Sequence, residues 1–225
     1  MAELVRQLER RRVEDGELRI LSRKVGEKDQ PMIAGYGAVF NKRSLPMGWF
    51  GDFREEVARH AFDKTLATNP DMRCLFNHDS NYILGRTKAG TLRVSTDDHG
   101  LRFENDPPET HVARDLQESI KRGDVSQCSF GFYIIADEWS EDADHNLIRT
   151  LTEISLQDGD VSPVVYPAYP DTEVDLRSRE AIRGRLEATA AEGLKRIGKV
   201  KRDDPDEIRA YFDAKRRKLD LICNS

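Results

Sequence analysis

The chain has 225 residues, 38% apolar and 34% charged, with a net charge of −5, a balance that suits a folded core under a highly charged surface. No apolar run approaches the roughly 18 residues of a membrane span, and the opening MAELVRQLERRR lacks the apolar centre of a secretion signal. Three cysteines (Cys74, Cys128, Cys223) make neither a paired framework nor a C-x-x-C, which excludes a disulfide scaffold and a zinc ribbon. A cytosolic protein of one large or two small domains is expected. The charge is uneven. Residues 177–225 carry 14 basic against 9 acidic side chains, net +5, and residues 1–176 carry 22 against 32, net −10. A charged, helical or partly disordered C-terminal tail is therefore expected behind an acidic body, either as a solvated face or as a docking arm.

Residues 1–15 read as an N-terminal arm or short charged helix. GELRILSRKV (16–25) and MIAGYGAVFN (32–41) read as strands. SLPMGWFGDF (44–53) is a loop punctuated by Pro and Gly. REEVARHAFDKTLAT (54–68) has apolar residues at 57, 58, 61, 62 and 66, a helical period. DMRCLFNHD (71–79) returns to alternation, with Met72, Cys74, Phe76 and His78 on one side. GTLRVSTDDHGLRFENDPP (90–108) is a hairpin with its turn at residues 97–100. ETHVARDLQESIKRGD (109–124) is a helix with Gly123 just past its end. DVSQCSFGFYI (124–134) alternates again, and NLIRTLTEISLQDGDVSPVVYPAYP (146–170) supplies one or two more strands. Beyond Arg179 the strand signal stops, and Pro205 behind two aspartates marks the start of a last helix. Many short strands without βαβ alternation predict an α+β, mainly β protein. The expected architecture is an antiparallel barrel-like core with flanking helices over 16–176, followed by the tail.

In the 124–134 strand, Cys128, Phe130, Phe132 and Ile134 share one face and Gln127, Ser129, Gly131 and Tyr133 the other. A serine beside a glycine behind a wall of aromatics is either an ordinary half-buried strand or a displayed hydroxyl with space cleared next to it. A serine hydroxyl needs a base within hydrogen-bond reach, and the base needs a third group to fix its tautomer. Of the five histidines, His60, His99, His111 and His145 read most simply as surface residues. His78, continuing an apolar face, would be half-buried. Glu153, in mid-strand within RTLTEISL, could supply the carboxylate or form a cross-strand ion pair with Arg149 or Arg86.

The blocks IAGYGAVFN (33–41), FREEVARHAFDKTL (53–66), CLFNHDSNYILGR (74–86), GLRFENDPP (100–108), GDVSQCSFGF (123–132) and LTEISLQDGDVSPVVYPAYPDTEV (151–174) resemble, in order and wording, the prohead serine proteases of tailed bacteriophages. That family is related in fold to the herpesvirus assemblin protease. The likeness covers roughly residues 30–176 and rests on the combination of FNHD, SFGF and EISL…YPA. It implies a serine endopeptidase with Ser129 as nucleophile, His78 as general base and Glu153 orienting the histidine. Gly131 would let an extended peptide lie close to the strand. The herpesvirus relatives use a second histidine as third member, so His111 and His145 remain alternatives to Glu153. LQDGDVSPVVYPAYP is a longer polar passage than the family pattern has.

The resemblance further implies an enzyme packaged in the procapsid within the host cytoplasm. It would cut the scaffolding segment from the major capsid protein, and then itself, with no cofactor, no metal, no membrane and no nucleic acid required. A homo-oligomer is left open. Three rivals stand beside this reading. One is a non-enzymatic scaffolding protein that keeps the fold. Another is a cysteine hydrolase pairing Cys128 with His78, which the strand phase opposes. The last is a metal phosphohydrolase built on His78-Asp79, for which no second cluster stands at ligand spacing.

Overall fold

The structure is a computed structural model. It describes residues 8–13, 16–47, 53–144, 146–165, 188–199, 206–211 and 213–214. The chain divides into two compact units: residues 1–42, 57–136 and 151–169 form the first, and 43–56, 137–150 and 170–225 the second.

Among the described residues up to 165, ten strands and two α-helices follow in order: β1 (Glu9–Val13), β2 (Arg19–Val25), β3 (Lys28–Val39), β4 (Phe53–Val57), α1 (Asp63–Ala67), β5 (Arg73–Phe76), β6 (Asp79–Arg86), β7 (Leu92–Thr96), β8 (Gly100–Asn105), α2 (His111–Arg122), β9 (Gln127–Glu141) and β10 (Leu147–Val164). One sheet runs β1-β9-β10-β5-β6 with β4 also on β10. The other runs β2-β3-β8-β7. The protein is thus mainly β, but the expected barrel does not form. Among the described residues neither sheet closes on itself, and closure gives way to packing one sheet on the other. Cys128, Phe130, Phe132, Ile154 and Val161 from the first sheet join Ile33, Ala38, Leu101 and Phe103 from the second in one core. Gly35 allows the close approach: a Cβ there would sit 3.3 Å from the Cys128 sulfur and 2.8 Å from the Gly16 carbonyl oxygen.

Local chemistry explains the elements. The β2–β3 hairpin turns through two residues, with Gly26 at φ 63° as such turns need. In α2 the Thr110 hydroxyl accepts from the Ala113 N–H at 3.3 Å, Gly123 adopts φ 85° beyond the last turn, and Ala113, Leu116, Gln117 and Ile120 form the buried stripe.

Two expectations are corrected. Residues 9–13 form a strand on β9 rather than a helix or loose arm. Within 54–68 the helix shrinks to α1, and β4 takes 53–57 with Phe53, Glu55 and Val57 buried. The buried position of β4 is filled by a carboxylate, which hid the period of two, and Arg149 neutralises it at 3.4 Å. For the region beyond 177 the expectation was a helical or partly disordered tail. Residues 188–196 are helical, and Ala190 and Leu194 pack with Phe53, Leu147 and Trp139 in the core of the second unit.

Candidate active site

The site builds from three strands of the first unit. β5 and β6 are joined by a two-residue turn, Asn77-His78, because Phe76 pairs with Asp79. Both turn residues have positive φ, 55° and 58°, the conformation a type I′ turn demands and one that asparagine and histidine tolerate better than most side chains. His78 therefore sits in the turn itself and does not extend the apolar strand face. The turn is tied down by the Asn77 N–H donating to the Pro163 carbonyl (3.0 Å) and the Val165 N–H donating to the Asn77 Oδ1 (2.9 Å).

The tie brings His78 onto β10, which runs parallel to β5 with Asp160 opposite Arg73. His78 Nδ1 and Asp160 Oδ2 are 2.6 Å apart, and both side chains are 7% exposed. The Ser162 hydroxyl, fully buried, donates to the same carboxylate oxygen at 2.5 Å. Burial pushes the Asp160 carboxyl up. The hydrogen bond and charge of His78, the Ser162 hydroxyl and the charge of Arg10 outweigh it and hold the group below the usual carboxylate range. A carboxylate on Nδ1 places the ring proton there and leaves Nε2 of the neutral ring as an acceptor. Nε2 is buried, with no hydrogen-bond partner among the described residues.

Asp160 reaches this side of the sheet through a change of phase. Ile154 and Leu156, even-numbered, enter the core, but so does Val161, odd-numbered. The switch falls at Gln157–Gly159, where Asp158 has φ 58°. Asp160 then faces away from the core and toward Gly131 of β9. A Cβ at Gly131 would lie 2.5 Å from Asp160 Oδ1, so glycine is what lets the carboxylate lie against the strand.

Ser129 shares the Gly131 face, as the alternation predicts, and is fully buried. Its hydroxyl donates to the Arg11 carbonyl of β1 at 2.9 Å. On the opposite face Phe130 and Phe132 stack with centroids 4.4 Å apart, and Cys128 lies in the core with its thiol pushed up to about 12 by burial. A thiol held that high is a poor nucleophile, which weighs against the cysteine alternative.

The structure sets His78 against Asp160 and Asp160 against Gly131, two residues along β9 from Ser129; Glu153 is engaged elsewhere. The Glu153 carboxylate accepts from Lys64 of α1 at 2.6 Å, an ion pair with a helix in place of the expected cross-strand pair with Arg149 or Arg86. His111 begins α2, exposed and bonded to Arg114 at 3.3 Å. His145 lies outside the described residues. The partners of His78 that the sequence reading did not name are Asp160 and, through it, Ser162. Their signal was present: EIS (153–155) recurs as DVS (160–162) seven residues on, and Gly159–Val164 is buried throughout. Among the described residues no group of three or more His, Cys, Asp or Glu side chains is gathered as a metal would require.

A serine, an imidazole and a carboxylate on its inner nitrogen are the parts that serine hydrolases use. The model of the caudovirus prohead serine protease family matches residues 17–185. The chain belongs to that family. Among solved structures it is similar to the bacteriophage T4 capsid assembly protease, gp21, at 9% identity and a TM-score of 0.46, over 70% of this chain and 98% of that one. No curated protein sequence matches it.

Proposed function

We propose that this protein is a serine endopeptidase of phage capsid maturation that cuts the scaffolding segment of the major capsid protein inside the procapsid, and itself. Ser129 is the nucleophile, His78 the general base and Asp160, in place of Glu153, the residue that positions His78. The observation that carries the reading is the buried Asp160–His78 pair against Gly131, two residues along β9 from Ser129, in a chain of this family.

The chemistry follows from the pair. As the Ser129 oxygen attacks a peptide carbonyl carbon, its proton passes to Nε2 of His78, and Asp160 stabilises the imidazolium. The proton then goes to the departing amine as the C–N bond breaks. Water, deprotonated by His78, releases the acyl group and restores the hydroxyl. Confinement with the substrate raises effective concentration, so a slow catalyst is sufficient.

The full burial of Ser129 also suits the second reading, a non-enzymatic scaffolding protein. Coexpression with the cognate capsid protein, wild type against Ser129→Ala, separates the two by product mass. Shortened capsid protein only with the wild type supports proteolysis. Full-length capsid protein with both supports the scaffold.

A further inference from the structure

A nucleophile must be reachable, and Ser129 is covered. The cover is β1, the end strand of its sheet, which pairs antiparallel with β9 from Glu9–Phe132 to Val13–Cys128. Arg12 stands opposite Ser129 and Arg10 opposite Gly131. The hydroxyl that should face His78 is committed to the Arg11 carbonyl, while Nε2 of His78 has no partner among the described residues.

The composition of β1 is that of an occupant more than of a built-in strand. Four of its five residues are charged, ERRRV, and Val13 alone is counted with the apolar core. What remains is main-chain pairing, the mode by which an extended peptide adds to a sheet edge. The side chains fit the edge as a guest's would. The Arg11 guanidinium lies 5.5 Å from the Phe132 ring centroid. Arg10 stands where β9 has no side chain, and its charge reaches Asp160.

We propose that the Cys128–Phe132 edge of β9 is the peptide-binding strand of the enzyme, taking an extended basic segment antiparallel in the register that β1 now holds, and that β1 is an internal occupant that must leave before Ser129 can act. This rests on the reading of Ser129 as nucleophile. Departure of β1 removes the Arg11 carbonyl and frees the hydroxyl for Nε2. A peptide then competes with a tethered rival, so its apparent affinity falls by the fraction of time the edge is vacant.

The test uses the full chain with two handles on β1. Successive N–H groups of a strand alternate in direction, so the double substitution Arg10→Pro/Arg11→Pro must remove one that faces β9. Val13→Cys, in a Cys74→Ala background, stands opposite the native Cys128 and locks β1 when oxidised. Two readouts are taken: the rate at which a fluorophosphonate probe labels Ser129, and binding of a fluorescent peptide LERRRVED. The proline pair is expected to raise labelling at least about tenfold over wild type. The oxidised lock is expected to label at least about tenfold more slowly than its reduced form. The peptide should bind the proline pair and the reduced form but not the oxidised one, and more weakly with glutamate at its second arginine. Labelling and binding that ignore both handles overturn the proposal. Binding that follows the handles while no form is labelled keeps the strand site and removes Ser129 as nucleophile. Labelling that ignores the handles keeps Ser129 and removes the strand site.

Discussion

In the proposed mechanism His78 depends on Asp160 in two ways. The carboxylate fixes which ring nitrogen carries the proton, and it balances the charge that forms on the ring. Asp160→Asn keeps the shape and loses both, so kcat should fall about 10³–10⁴-fold with little change in KM. Glu153→Gln, which only releases Lys64, should leave kcat within about twofold. The same carboxyl sets an acid limb of stability. Its folded pKa lies below the unfolded value. Its contribution is therefore complete above about pH 4 and is lost as pH falls through the folded pKa. Thermal melts from pH 7 to pH 2.5 should show a steeper acid decline in wild type than in Asp160→Asn; parallel curves would count against the assignment. At this scale the proposals for Ser129 and His78 could be drawn from the sequence because each stands in a short block of distinctive wording. Asp160 was not, because phase counted from Glu153 along an unbroken strand places residue 160 on the core side.

Between residues and molecule, the elements decide whether the parts meet. The Asn77-His78 turn is held to β10 by the Asn77 side chain. Asn77→Gly keeps the positive φ at no steric cost but frees Val165. Stability should drop by about 0.5–1.5 kcal/mol, and kcat by more than that loss accounts for, measured by denaturant melts beside peptide hydrolysis. Gly131→Ala puts a methyl against Asp160 Oδ1. The expected result is a loss of kcat/KM of at least about tenfold, with the fold retained by circular dichroism. The β7–β8 hairpin and α2 were readable from turn residues, cap and stripe, since those signals are local. β4 was not, since its buried Glu55 is intelligible only once Arg149, 94 residues away, is beside it. His78 in a turn was missed for a related reason: an N-H pair is a weaker turn signal than N-G, and only tethering to residues 163 and 165 makes it one.

Across the whole chain, strand content could be read from sequence and closure could not. A barrel and two packed sheets use the same alternating strands. The choice lies in which edges pair, and that is settled by registers spread over the chain. The basic C-terminal stretch is the other case. Its charge suggested a solvated arm, yet Ala190 and Leu194 are fully buried in the second unit. Leu194→Ala should cost about 2–5 kcal/mol there, read as a lower melting temperature. A deletion of residues 180–225 would uncover Phe53 and Leu147 as well as remove any targeting signal. Failure of such a deletion to enter procapsids would need a folding control before it could speak to targeting.

The switch at Gln157–Gly159 carries a constraint on how this protein can vary. Parity along β10 decides which way residue 160 points. Removing or adding one residue there would turn the carboxylate into the apolar interior and swing Val161 toward His78, leaving the imidazole unsupported without touching it. Lengths differing by two would restore the outlook of the acid. Indels in this short stretch should therefore be tolerated in even steps only, and a ladder of one- and two-residue deletions would display that rule as alternating loss and recovery of hydrolysis.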